Sequence, residues 1–286
     1  MEIEENKTRS TRPEWLKVKA PGGENFANVK SMMRSKSLHT VCEEAHCPNM
    51  AECWNCGTAT FMVLGDTCVR NCKYCAVGTG KPCEPDPNEP MNIAESIKQM
   101  KLRHAVVTSV TRDDLADSGA AFWAEIIRTI KTVNPNVTLE VLIPDFRAKQ
   151  ELLNIVFAER PDILNHNIET IRELFPVVRP QADYNQSLEV LKAAKEFGLR
   201  TKSGLMVGLG ETKEQVIEVL KDLKANNVDI VTIGQYLQPT KAHHPVARYV
   251  HPDEFAEYKR IGLEMGFDTV ESAPLVRSSY HAEKHI

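Results

Sequence analysis

The chain has no surplus of positive charge: 35 Lys and Arg stand against 39 Asp and Glu, a net charge of −4. That argues against a general nucleic-acid binder, which carries a basic face. No apolar run approaches the roughly 18 residues of a membrane span. The opening MEIEENKTRS is polar and lacks the apolar core of a secretory signal, so a soluble cytoplasmic protein with no membrane partner is expected. There is no tandem repeat and no low-complexity tract. What remains is an ordinary globular composition, 42% hydrophobic and 26% charged. The length of 286 residues suits one or two domains, or a single α/β barrel, and is enough to bury a core without staples.

Cysteine is also absent from most of the chain. All eight cysteines lie between Cys42 and Cys83. A disulfide framework would be spread over the fold it staples, whereas clustered cysteines in a reducing compartment point to metal ligands or catalytic groups.

From Phe61 onward, β-rich apolar runs alternate with helical patterns. The runs are 60–64, 105–110, 137–143, 162–165, 200–207 and 228–233. Between them, Phe122, Ile126 and Ile130 recur every four residues, with Trp123 and Ile127 beside them. Val190, Ala193, Ala194 and Phe197 form a second stripe, and Gly198 stops it. Val216, Val219, Leu220 and Leu223 form a third, opened by the capping box Thr212-x-x-Gln215. Six strands each followed by a helix predict a parallel sheet with right-handed crossovers. Six units are fewer than a closed barrel's eight, so the fold expected is α/β, a partial (βα)6 TIM-like barrel over 58–240. An N-terminal extension, 1–57, and a C-terminal one, 241–286, would flank it without the repeat. Residues 81–90, with four prolines, read as a stiff linker. The strand ends are polar or glycine-rich, which is where βα barrels hold their reacting groups.

The cysteines parse in two ways. Cys53-x2-Cys56-x15-Cys72-x2-Cys75 has the spacing of a four-cysteine zinc site. It strands four cysteines, swallows the 60–64 strand and leaves the polar strand ends unexplained. The alternative is two triplets, Cys42-x4-Cys47-x5-Cys53 and Cys68-x3-Cys72-x2-Cys75, which strands only Cys56 and Cys83. A four-iron, four-sulfur cube usually takes four thiolates. Three leave one iron open for a ligand, a catalytic arrangement when set beside a barrel's first strand.

The second triplet, with Tyr74 before its last cysteine, resembles the radical S-adenosylmethionine (SAM) superfamily. Together with the first triplet and Arg277-Ser278-Ser279-Tyr280, it is similar to the lipoyl synthases. Further matching segments begin at Thr40, Asn165, Gly208 and Gly234, so the likeness runs from about Trp15 to Tyr280. The resemblance implies two [4Fe–4S] clusters and SAM, and sulfur insertion at C6 and C8 of an octanoyl group on a carrier protein's lysine. Those carbons have no acidic proton for a base to remove, so a cofactor must supply a radical. Cys68, Cys72 and Cys75 are implied to hold the SAM cluster. Cys42, Cys47 and Cys53 would hold an auxiliary cluster whose sulfide is consumed, with Ser279, or alternatively Ser278, as its fourth ligand. Partners implied are octanoylated carriers (the glycine cleavage H protein or 2-oxoacid dehydrogenase E2 domains), a flavodoxin- or ferredoxin-type electron donor and an iron–sulfur carrier that renews the cluster. Thr108 and Ser109 are expected at the methionine end of SAM, Arg179 at its carboxylate, and Asn167 and Glu169 at its ribose. Gly208 and Gly210 would admit close backbone approach to the cofactor.

Other features are read conservatively. Asp113-Asp114 reads as a helix-starting pair. Cys56 and Cys83 read as buried or free thiols, His46 as a surface or hydrogen-bonding residue, and His243-His244 as a solvated pair. The basic stretch 241–248 reads as a solvated loop with some potential to meet an acidic carrier.

Overall fold

Each of the six apolar runs forms a strand, because its alternate residues have a layer of helices to pack against. The computed structural model describes residues 12–18, 22–55, 59–280 and 282. The strands are β1 (His39–Thr40), β2 (Thr60–Val63), β3 (Thr67–Cys68), β4 (Gly78–Thr79), β5 (His104–Ser109), β6 (Thr138–Leu142), β7 (Ile163–Asn165), β8 (Thr201–Val207), β9 (Ile230–Gln235) and β10 (Thr269–Ser272). The helices are α1 (Glu24–Ser35), α2 (Val41–Glu44), α3 (Met50–Asn55), α4 (Glu89–Gln99), α5 (Ala120–Val133), α6 (Gln150–Phe157), α7 (Phe175–Val178), α8 (Tyr184–Glu196), α9 (Lys213–Ala225) and α10 (Pro252–Glu264).

Eight strands make one sheet in the order β1-β2-β5-β6-β7-β8-β9-β10. β1 runs antiparallel to β2, and the remaining pairings are parallel. β1 and β10 are the two edges, so the barrel is open, as six units require. The repeat nevertheless runs further than the sequence suggests. The sixth helix, α10, lies beyond 240, and β10 adds a seventh parallel strand beside β9. The long loop 236–251 separates β9 from its helix, and α10 buries only Phe255, Tyr258 and Gly262. That stripe is too sparse to show helical period. The expected linker over 81–90 also ends early, because α4 takes Glu89 and Pro90 into its first turn, where proline is well suited.

Successive strand residues face opposite sides. Phe61, Val63, Val107, Leu139 and Val141 pack outward with Trp123, Ile126, Ile127 and Ile130 of α5. Leu205, Val207, Val231 and Ile233 pack with Val216, Val219, Leu220 and Leu223 of α9. The predicted capping box of α9 is present, Thr212 accepting from the Gln215 N–H and Gln215 accepting in return. The opposite, inner faces are polar. Lys202 of β8 donates to both oxygens of Glu140 of β6 at 2.9 Å, and Asn165 of β7 donates to the same carboxylate at 2.8 Å. These groups are fully buried.

The segment after β10 closes the open side. Gly234 lacks a side chain where the Val276 carbonyl lies, only 2.1 Å from where a Cβ would be. Asn49 donates to the Leu275 carbonyl at 2.7 Å, and Tyr280 donates to Glu52 of α3. The chain's last described turn is thereby held between β9 and the N-terminal helices.

Candidate active site

Two cavities lie at successive levels of the barrel interior, and the two cysteine triplets divide between them. The larger, about 490 Å³, is lined by Cys68, Cys72 and Cys75, by Thr108 and Ser109 after β5, by His166, Asn167 and Glu169 after β7, and by Arg179. The deeper one, about 110 Å³, is lined by Cys42, Cys47, Cys53, Thr60, His104, Val106 and Ser279. Inner-face positions of β5 pass from His104 and Val106 at the deeper level to Thr108 above.

The loop carrying Cys72 and Cys75 is closed at its base by the ladder of β3 with β4. Cys68 Sγ accepts from the backbone N–H of Arg70 and of Thr111, each at 3.4 Å. Arg70 was not singled out by the sequence reading, yet it anchors this loop. Its guanidinium donates to Asp145 after β6 and, at 2.8 and 3.0 Å, to Asp113 after β5. Asp113 therefore does not start a helix, as expected, but pairs with Arg70 and Arg147, while Asp114 pairs with Arg112. Helix α5 begins later, where Asp117 accepts the Gly119 and Ala121 N–H groups.

His243 and His244 also depart from expectation. His243 Nε2 lies 2.9 Å from the Cys75 carbonyl, and His244 Nε2 lies 2.8 Å from the Leu209 carbonyl. The His244 N–H donates to the Lys73 carbonyl at 2.8 Å. The pair latches the loop after β9 onto the cysteine loop, a contact across 168 residues that no local pattern can announce. Arg248 forks onto Glu254, so the basic stretch is partly neutralised. His46 is exposed, as expected, at the rim of the large cavity.

Burial opposes the thiolate form of four of the cysteines. It pushes Cys75 up to about 12 and Cys42 up to about 11. Cys72 and Cys47 are raised by the same cause, each partly opposed by a neighbouring guanidinium, Arg179 for Cys72 and Arg277 for Cys47. Loading iron therefore releases protons.

Several polar atoms at the large cavity are buried without a protein partner: His166 Nε2, Asn167 Oδ1 and Arg179 Nε. Such groups are rare unless a ligand takes them. Burial keeps His166 neutral, its pKa lowered to about 4, and its Nδ1 faces the Ile143 carbonyl. That leaves Nε2 as the acceptor. Glu169 has φ +70° and is locked to β8 in both directions, its N–H donating to the Gly204 carbonyl and its carbonyl accepting from Met206. Burial raises its carboxyl, against the pull of Arg179. Strain of this kind concentrates at functional sites. Ser109 accepts from the indole of Trp123, and Thr108 donates to the Leu142 carbonyl.

Gly208 and Gly210 are not among the residues lining the cavity. A Cβ on Gly208 would meet Gln235 Nε2 at 2.2 Å and the Arg248 carbonyl at 2.6 Å. The backbone N–H groups of 208–210 all donate to Glu211. Gly208 serves the loop's close packing, and Gly210, at φ +125°, serves its turn.

The two serines separate cleanly. Ser278 lines the large cavity and accepts from Asn167 at 3.4 Å. Ser279 lines the deeper cavity with the first triplet, and Thr60 donates to its hydroxyl oxygen at 2.8 Å. Arg277 lines both cavities.

The zinc parsing fails on this division, because Cys53 opens into one cavity and Cys72 and Cys75 into the other. Cys56 lies outside the described residues. Cys83 is exposed and lines neither cavity. Among the described residues no three His, Cys, Asp or Glu side chains converge on a single-ion site. A four-iron cube instead takes donors spread over its corners.

A model of the radical SAM superfamily matches residues 62–223, and one of the N-terminal domain of lipoyl synthase matches residues 2–47. The lipoyl synthase of Chlorobaculum parvum is 57% identical over 95% of this chain and 94% of its own. That of Bacteroides fragilis is 54% identical over 98% of both. The chain belongs to the lipoyl synthase family. It is a radical SAM enzyme. A further lipoyl synthase, from Rubrobacter xylanophilus, is 56% identical over 96% of this chain and 87% of its own. Among solved structures, the hydrogenase maturase HydG superposes with a TM-score of 0.57 at 14% identity, covering 87% of this chain and 62% of that one. Methylornithine synthase gives 0.52 at 13%, covering 90% and 81%. These two likenesses speak for the fold alone, and it is the partial barrel expected. No helix among the described residues is long and apolar enough to cross a membrane.

Proposed function

We propose that this lipoyl synthase uses its large cavity for radical generation and its deeper cavity for sulfur delivery, inserting sulfur at C6 and C8 of a carrier-bound octanoyl-lysine. The observation that carries this reading is the division of two cysteine triplets between adjacent cavities of one barrel. A carbon that loses hydrogen at one centre and gains sulfur at the other must reach both without crossing bulk water.

Cys68, Cys72 and Cys75 hold the SAM cluster; Cys42, Cys47, Cys53 and Ser279 hold the auxiliary one. When bound, the first with SAM supplies a 5′-deoxyadenosyl radical, and the second supplies sulfur. Arg179 would pair with the carboxylate of SAM, Asn167 and Glu169 would hold its ribose, and His166 Nε2 would accept a further hydrogen bond; the orphaned polar atoms support this assignment. Thr60 steadies the oxygen of Ser279 by donating to it, which favours Ser279 over Ser278. An oxygen ligand holds iron less tightly than a thiolate, so Ser279 would hold the most labile iron of the site. The substrate is the octanoyl arm of an H protein or an E2 domain. A flavodoxin- or ferredoxin-type donor supplies electrons, and an iron–sulfur carrier restores the spent site.

The test is anaerobic. Reconstituted protein is incubated with SAM, dithionite and an octanoyl-lysyl peptide, and 5′-deoxyadenosine and peptide mass are followed together. The expected result is deoxyadenosine with two sulfurs replacing two hydrogens. Deoxyadenosine without sulfur in the peptide overturns the substrate assignment.

A further inference from the structure

Each cavity sets one guanidinium beside the middle cysteine of its triplet: Arg179 acts on Cys72, and Arg277 acts on Cys47. Arg179 donates to the Asn167 carbonyl at 3.3 Å, lies over the Phe175 ring and has the Glu169 carboxyl acting on it. Arg277 differs. Among the described residues the only hydrogen bond its guanidinium makes runs from Nη1 to the adjacent Val276 carbonyl, at 2.6 Å, and no carboxylate forms an ion pair with it. A half-buried cation without a counter-charge is unfavourable, so an anion belongs in its reach.

The backbone around it is built to hold that position. Gly234 of β9 leaves the space the tail occupies, its absent Cβ falling 2.1 Å from the Val276 carbonyl and 3.3 Å from Arg277 Nη1. Asn49 fixes the preceding residue from the other side. The guanidinium thus stands on the wall shared by the two cavities, with Cys47 as the sulfur it acts on. Three thiolates and an alkoxide around iron and sulfide carry a net negative charge, and that charge grows when an electron enters.

We propose that Arg277 is the counter-charge of the deeper centre and sets its reduction potential, with Gly234 as the positioning residue that seats it. This rests on the reading of Cys42, Cys47 and Cys53 as a second iron–sulfur site. A fixed positive charge beside a centre favours its reduced form. Removing the charge lowers the potential of the deeper centre and shifts the SAM centre, served by Arg179, by less.

The experiment uses the full chain in two backgrounds. In one, Cys68, Cys72 and Cys75 are alanine, so only the deeper site loads; in the other, Cys42, Cys47 and Cys53 are alanine. Each is reconstituted anaerobically with iron and sulfide, assayed for iron, and titrated by EPR-monitored redox potentiometry with Arg277, Arg277→Gln or Arg277→Lys. Gly234→Ala, which keeps the charge but disturbs its seat, is the companion variant should Arg277→Gln lose iron. The expected result is a more negative potential in the first background for Arg277→Gln, a smaller shift of the same sign for Gly234→Ala, little change for Arg277→Lys, and a clearly smaller shift in the second background. A deeper centre that loads normally but keeps its potential in Arg277→Gln, or equal shifts in both backgrounds, overturns the proposal alone. Failure of the first background to load any cluster with Arg277 intact overturns the second-site reading and this proposal with it.

Discussion

Ser278 and Ser279 are adjacent in sequence and chemically identical, yet they face different cavities. Substituting them in turn separates the roles. Ser279→Ala should lose iron from the auxiliary site and sulfur insertion while still cleaving SAM; Ser278→Ala should keep full auxiliary iron. Iron and sulfide assays with deoxyadenosine counting read both, and equal iron loss in the two variants would contradict the assignment. A second residue-scale prediction concerns Glu140. Although burial opposes its charge, Lys202, His104 and Asn165 hold its carboxyl down at about 2, below its ordinary 4.5. A depressed acid contributes stability above its unfolded pKa and loses it as pH falls through the folded one. Its contribution is therefore complete above pH 4.5 and fades toward pH 2. Glu140→Gln, which leaves Lys202 buried against a neutral amide, should lower stability by about 3–5 kcal/mol near neutral pH, read by urea unfolding. A loss under 1 kcal/mol would contradict it.

Glu89 opens α4 and accepts the Leu64 N–H at 2.8 Å, tying a helix start to the end of β2 where Leu64 has φ +66°. Burial raises its carboxyl to about 7, although the Leu64 and Gly65 amides favour the charged form. For a raised acid the sign reverses: stability falls as pH climbs from 4.5 through 7. Glu89→Gln should flatten that slope and be more stable than the parent above pH 7; an unchanged pH dependence of Tm would contradict it. The latch after β9 gives a second test at this scale. His243→Ala should release iron from the SAM site to a chelator about fivefold faster, the factor carried by one hydrogen bond of ~1 kcal/mol, with auxiliary iron unaffected. These elements also mark how far the sequence could be read. Strands 60–64 through 228–233 were legible because a strand that packs on helices must be apolar on its outer face. The seat on Gly234, the Arg70 anchor and the histidine latch were not. Each depends on side chains brought together by the barrel's closure rather than by spacing along the chain. Helix α10 was hidden because it buries so few residues.

At the scale of the whole molecule, the open barrel explains the arrangement. A closed eight-unit barrel fills its interior with side chains. Here the sheet stops at β10, and the gap admits the tail that carries Arg277, Ser278 and Ser279 past both cavities. The N-terminal helices pack Val29, Met33 and Trp54 into the same core as β2 and α5, so the first cysteine triplet is fixed to the barrel rather than tethered beside it. The central claim is that this deeper site is the source of the inserted sulfur. The most direct measurement is the mass of the octanoyl-lysyl product formed by protein reconstituted with isotopically heavy sulfide, then freed of excess and supplied with SAM and dithionite. The account predicts that both inserted sulfurs are heavy and that product stops at one per chain. Light sulfur in the product, or turnover sustained by sulfide from solution with the deeper site emptied, would contradict it.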